Sequence, residues 1–277
     1  MRRGILLLLA AAAAGMSGAR AQEAPAMQVM EAPGGVRFGL FGARSATPAP
    51  TLFVSAVAVD DMAKQPVYTE TGRRLAAQGW LYVALDPPCH GRDQRPDEPP
   101  QLDGWAHRVK AGQPLMEPFT RRCRAVLDFL VAGGYTDPRR VAAGGTSRGG
   151  FCALHFAAAE PRVRAVACIS PVTNLRVLRE FAGIGEEQVR DLNVSALAEP
   201  LAGRAVWLSI GNHDERVGTD DCIAAARRLA AAGRARNPDN PVVPVELLVG
   251  PSRGHGAIEG AYELAARFLA HAVKGGR

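Results

Sequence analysis

Short apolar runs rich in β-branched residues alternate along this chain with longer stretches in which apolar residues return every three or four positions. The short runs predict strands at Val36–Phe41, Thr51–Ser55, Trp80–Leu85, Val141–Gly144, Val163–Ile169, Ala205–Ile210 and Val242–Val249. The periodic stretches predict helices at Tyr68–Gln78, Phe119–Ala132, Arg148–Ala159, Asp220–Ala232 and Glu259–Val273. Strand and helix follow one another in turn, an order that implies a parallel sheet covered by helices on both faces. No internal repeat is visible.

Two stretches break the alternation. Arg92 to Pro118 is rich in Pro, Asp and Gly, too long and polar for a plain turn, and contains Trp105 and His107. Thr173 to Ala202 carries short amphipathic pieces such as Leu175-Arg176-Val177-Leu178-Arg179-Glu180-Phe181. Both are expected to shape a pocket.

At the start, Met1-Arg2-Arg3-Gly4 precedes an apolar run from Ile5 to Ala14 and the small-x-small triplet Ala19-Arg20-Ala21. This order predicts a secretory signal peptide over residues 1–21, cleaved after Ala21, with export to the periplasm or medium. The run is too short to span a bilayer as a helix, and no cysteine follows it closely enough to suggest a lipid anchor. The mature part, residues 22–277, is about 255 residues, the size of one domain with a full core. Loss of Arg2, Arg3 and Arg20, with no acid among the first 21 residues, takes the net charge from +6 to +3. Without a clustered Lys/Arg stripe and interleaved aromatics, nucleic acid is not an expected partner.

The five cysteines are an odd number, so in an oxidising compartment at least one stays free or pairs between chains. Cys89 and Cys123 are the pair open to bridging, whereas Cys152 and Cys168 fall where burial as small hydrophobes is expected. No Cys-x-x-Cys pair or His/Cys spacing marks a zinc site, and no metal is expected.

The most specific chemistry lies at Gly145-Thr146-Ser147-Arg148-Gly149. An apolar strand runs into this Gly-x-Ser-x-Gly turn and a helix leaves it, the context in which a serine is lifted above a sheet as a nucleophile. Beyond the next strands, Gly211-Asn212-His213-Asp214-Glu215-Arg216-Val217 holds candidate acids and Pro251-Ser252-Arg253-Gly254-His255-Gly256 a candidate base. Three loops at the carboxyl ends of successive parallel strands converge in space, so Ser147, Asp214 and His255 can meet as a triad.

With these residues in view the chain resembles the α/β-hydrolase superfamily, and within it the dienelactone-hydrolase and prolyl-oligopeptidase-like branch. The likeness also takes in Leu85-Asp86-Pro87-Pro88-Cys89-His90-Gly91-Arg92-Asp93 and Ile169-Ser170-Pro171-Val172. The resemblance implies the α/β-hydrolase fold, a mostly parallel twisted sheet with helices on both faces, and makes Thr173 to Ala202 a small cap over an open site. It implies Ser147 as nucleophile, His255 as base and, from the pattern Gly-x-x-Asp, Asp214 rather than Glu215 as acid, with no cofactor. One departure is visible: many relatives carry His-Gly after the third strand, and this chain has Ser55-Ala56-Val57 there. By position Val57 supplies the second oxyanion N–H, beside that of Arg148.

Several roles stay open at this level. The Arg148 side chain either pairs with an acid such as Asp86 or Asp93, or binds substrate, supporting the oxyanion or holding a carboxylate. The turn Gly-x-Ser-Arg also occurs in glucuronoyl esterases, which brings a uronate or other acidic carbohydrate ester into view. Trp105 either stacks on a substrate ring or pins its loop. His90 is read as organising its loop, and His107, His155 and His271 as surface or helix-packing residues. The expected activity is that of a secreted serine hydrolase cleaving a small-molecule or carbohydrate ester through an acyl-enzyme. A serine peptidase acting on small peptides and a non-catalytic binding protein on the same scaffold are the alternatives.

Overall fold

The computed structural model describes residues 27–240 and 242–274. The predicted signal peptide lies outside the described residues. Strands β1 (Met27–Ala32) and β2 (Val36–Phe41) form a hairpin whose turn holds Gly34 and Gly35 at φ of 83° and 73°, conformations that glycine adopts without steric cost. The chain then runs through β3 (Ala49–Val54), α1 (Val59–Met62), α2 (Pro66–Ala76), β4 (Leu81–Ala84), α3 (Gln101–Lys110), α4 (Met116–Ala132) and β5 (Thr136–Thr146). It continues with α5 (Arg148–Ala159), β6 (Val163–Ile169), the short helices α6 (Glu186–Val189) and α7 (Ala198–Leu201), β7 (Ala205–Gly211), α8 (Thr219–Arg236), β8 (Val245–Gly250) and α9 (Ala261–Lys274).

Among the described residues the eight strands make one sheet in the order β1-β2-β4-β3-β5-β6-β7-β8. β1–β2 and β2–β4 are antiparallel, and every later pairing is parallel. The period of two along a strand sends neighbouring side chains to opposite layers. Leu52, Ala142, Ala165, Ala167 and Trp207 pack with α2 and α9 on one face, whereas Phe53, Val141, Ala143, Val166 and Cys168 pack under α4, α5 and α8 on the other. Helix α9 meets the sheet through Ala261, Ala265, Leu269 and Val273, spaced four apart along one stripe. Helix α5 is buried from Gly149 to Ala157 between sheet and neighbouring helices, which explains its nearly uninterrupted apolar sequence.

The structure corrects three expectations. Residues 92–118 are not irregular throughout: α3 runs through their middle, its Pro- and Asp-rich flanks having hidden a helix with buried Leu102, Trp105, Ala106 and Val109. The last strand starts at Val245, because Pro244 has no N–H to give the ladder and Val242 stands out in solvent. No Cys89–Cys123 bridge is present: all five cysteines are free thiols in the interior. The cap, residues 173–202, consists of 3₁₀ turns and the one-turn helices α6 and α7. Among the described residues no helix is long and apolar enough to cross a membrane.

Candidate active site

β5 ends in the turn that carries Ser147, whose backbone sits at φ 56° and ψ −121°, a strained combination for a residue with a Cβ. The flanking glycines serve close approach rather than a positive φ. A Cβ on Gly145 would lie 2.4 Å from the carbonyl carbon of Gly149, and one on Gly149 only 1.6 Å from the carbonyl oxygen of Ser55. The turn therefore folds tightly onto the end of β3, and the first turn of α5 begins directly behind the serine. Ser147 N–H donates to Ile169 O at 2.9 Å, and Val172 N–H donates to Ser147 O at 3.1 Å, fixing the elbow to the exit of β6.

The loops after β7 and β8 bring two further side chains to this turn. His255 Nε2 lies 3.0 Å from Ser147 Oγ, and His255 Nδ1 lies 2.9 Å from Asp214 Oδ2. Asp214 is 2% exposed, and its other oxygen, Oδ1, accepts the N–H groups of Arg216 at 3.1 Å and Val217 at 3.3 Å. Its own N–H donates to Thr219 Oγ1 at 3.1 Å. Glu215, the adjacent acid, has a side chain 85% exposed, and among the described residues its one charged neighbour within ion-pair distance is His213, at 3.7 Å. The histidine loop is tied down by Ser170 Oγ, which donates to Gly256 O at 2.6 Å, and by Ser252 N–H, which donates to Asn212 Oδ1 at 3.1 Å. The His255 side chain keeps 29% of its surface in solvent, so the small cap leaves the site open.

Arg148 departs from the expected pairing. Asp93 is taken by Arg108 and Arg122, and Asp86 accepts the N–H groups of Val59 at 2.6 Å and Arg92 at 3.1 Å. Among the described residues no carboxylate lies within ion-pair distance of Arg148; its Nε donates instead to Ala56 O at 2.8 Å. Burial holds this guanidinium below its usual range. The backbone N–H groups of Arg148 and Val57 have no hydrogen-bond partner among the described residues.

Trp105 is also corrected. It is fully buried, packs against Phe151 at a ring separation of 5.5 Å and donates its Nε1–H to Pro88 O at 2.6 Å, so it pins the loop and cannot stack on a ligand. The same carbonyl lies 2.7 Å from His90 Nδ1. Burial and the nearby Arg148 charge push His90 down to about 4, which keeps it neutral. Beneath this loop Arg108, 2% exposed, donates to both oxygens of Glu98 at 2.8 and 2.6 Å and to Asp93 Oδ2 at 2.8 Å.

Sequence pattern alone does not single out the residues that join cap to acid loop. Arg216 Nη2 donates to Glu180 Oε1 at 2.8 Å, and Asn174 Nδ2 to Asp221 Oδ1 at 2.8 Å. The one signal for Arg216 was its place two residues after the acid. Glu180 had none, since the cap has no regular period to predict its direction.

Sheet order, elbow and the three loops at one sheet end define an α/β-hydrolase. The chain belongs to the prolyl oligopeptidase family, whose model matches residues 120–274, from α4 to the end of α9. No curated protein matches it by sequence. Among solved structures it is similar to TT1662 from Thermus thermophilus, with 17% identity, a TM-score of 0.63 and coverage of 90% of this chain and 98% of that one. Acetyl xylan esterase 1 from Thermoanaerobacterium shows 17% identity and a TM-score of 0.63 over 89% of this chain and 88% of its own. The acylaminoacyl peptidase of Pyrococcus horikoshii shows 13% identity and a TM-score of 0.67 over 92% of this chain, which covers 42% of the peptidase.

Proposed function

We propose that this protein is an exported serine hydrolase that cleaves small carboxylic esters through an acyl-enzyme. The observation that carries this reading is the continuous chain Asp214–His255–Ser147, at 2.9 and 3.0 Å. With Nδ1–H directed at Asp214, His255 Nε2 offers its lone pair to the serine hydroxyl. Ser147 Oγ attacks the substrate carbonyl carbon while His255 takes the hydroxyl proton, and Asp214 stabilises the imidazolium so formed. The carbonyl oxygen becomes an oxyanion held by the N–H groups of Arg148 and Val57. The C–O bond to the alcohol then breaks and His255 returns its proton to the leaving oxygen. Water, activated by the same imidazole, releases the acid and restores Ser147 Oγ–H.

No step requires a cofactor or metal. Partial exposure of His255 under a short cap supports small substrates that enter from solvent. The signal-like segment before Gln22 supports export, and a mature N-terminus at Gln22 is expected on sequencing the exported protein. A second reading, cleavage of an amide by the same serine, is favoured by the family itself. The two are separated by assaying purified mature protein on p-nitrophenyl acetate, acetylated sugars, glucuronate esters and aminoacyl-proline amides, with Ser147→Ala in parallel. Ester turnover lost in Ser147→Ala is the expected result. Amide turnover alone supports the second reading, and silence on every substrate, with no labelling of Ser147, supports a binding role for the scaffold.

A further inference from the structure

The segment between β3 and α1 is anchored at both ends. Ser55 Oγ donates to Leu85 O at 3.2 Å, Val59 N–H donates to Asp86 Oδ1 at 2.6 Å, and Ser55 O lies against Gly149. Between these anchors stands the peptide unit formed by the carbonyl of Ala56 and the N–H of Val57. Among the described residues the one donor to that carbonyl is Arg148 Nε, at 2.8 Å. No described peptide bond is cis, and in a trans peptide the C=O and N–H point in opposite directions. Fixing the oxygen of Ala56 therefore also fixes where the N–H of Val57 points.

We infer that Arg148 is a positioning residue for the oxyanion hole: its side chain clamps the Ala56–Val57 peptide so that the Val57 N–H faces the oxyanion formed above Ser147. This inference rests on the serine-hydrolase reading and adds to it a reason for an arginine directly after the nucleophile. Arg148 then serves twice. Its backbone N–H is one donor, and its side chain orients the other through a peptide that no His-Gly turn holds in this chain. A half-buried guanidinium with no counter-ion among the described residues is costly, and burial accordingly lowers its proton affinity. A bond to a backbone carbonyl at the site accounts for retaining it there.

Three side chains separate a clamp from a charge. In glutamine Nε2 stands at the same point along the side chain as Nε of arginine, so Arg148→Gln keeps the donor and removes the charge. Arg148→Lys keeps the charge and moves the donor, and Arg148→Met removes both. The readouts are kcat and KM on p-nitrophenyl acetate and the rate at which a fluorophosphonate phosphonylates Ser147, a reaction that also passes through a negatively charged oxygen. Arg148→Met is expected to lose about 100-fold in kcat and in phosphonylation rate, the usual consequence of losing one oxyanion donor, with KM changed by less than about threefold. Arg148→Gln is expected to recover about tenfold or more of that loss and to exceed Arg148→Lys.

Activity in Arg148→Lys above that of Arg148→Gln would overturn the clamp in favour of a direct charge effect, and undiminished kcat in Arg148→Met would overturn it outright. If Arg148→Met does not fold, the order of the glutamine and lysine variants decides alone. A wild-type protein that neither turns over ester nor takes the probe would overturn the serine-hydrolase reading itself, a result no comparison among the variants can produce.

Discussion

At the scale of single residues, the site is built from backbone strain and buried hydrogen bonds that each admit few alternatives. Ser147 holds the positive φ itself, while its neighbouring glycines are required by contacts with Ser55 and with each other. Asp214 is fixed by the N–H groups of Arg216 and Val217, by the Thr219 hydroxyl that its own N–H meets and by His255, whereas Glu215 points into solvent. Asp214→Asn keeps the shape but favours the wrong imidazole tautomer, for which a fall in kcat of about 10⁴-fold is expected. Glu215→Gln removes only a solvated charge, and kcat/KM within about twofold of wild type is expected; steady-state ester kinetics on the two variants check both.

At the scale of elements, legibility followed burial. Strands buried on both faces announce themselves, and Val36–Phe41 and Val163–Ile169 were read with their observed ends, as was helix Arg148–Ala159. Strand β1 was missed because only one of its six residues, Ala32, is buried, leaving no apolar run. Helix α3 is hard to read in the sequence because Gly104, charged residues and flanking prolines dilute its period, and because Arg108, buried in an ion-pair network, interrupts the apolar stripe of Leu102, Trp105, Ala106 and Val109. Arg108 in that network joins α3 to the loop that carries His90, so a residue with no catalytic pattern in the sequence supports the floor of the site. The order of Ser147, Asp214 and His255 was readable because parallel strands deliver successive loops to one end of the sheet. The bond from Arg216 to Glu180 was not, because direction within an aperiodic cap depends on tertiary packing.

At the scale of the whole molecule, stability is tied to pH through groups that the fold keeps out of water. His90 and His155 are pushed by burial to about 4, below the ordinary 6.5. The unfolded chain takes up these protons near 6.5 and the folded one only near 4. Their contribution is therefore full above pH 6.5 and is lost as pH falls from 6.5 to 4, up to about 3 kcal/mol for each. Arg108 holds Glu98 down at about 2, and Arg162 and neighbouring donors offset burial to hold Glu160 there too. These carboxylates add a second loss between about 4.5 and 2. Denaturant titrations at a series of pH values are expected to show stability falling in both windows, with the upper one reduced in His155→Gln. A stability that stays flat from pH 7.5 to 4 would contradict this.

Intact-mass and peptide mass spectrometry after treatment with a fluorophosphonate decides whether Ser147 is an activated nucleophile. The serine oxygen attacks phosphorus and fluoride leaves, so no knowledge of the natural substrate is needed. One adduct per chain, located on Ser147 and absent from Ser147→Ala, is the predicted result. An unmodified native protein, or an adduct that persists in Ser147→Ala, would rule out Ser147 as the nucleophile.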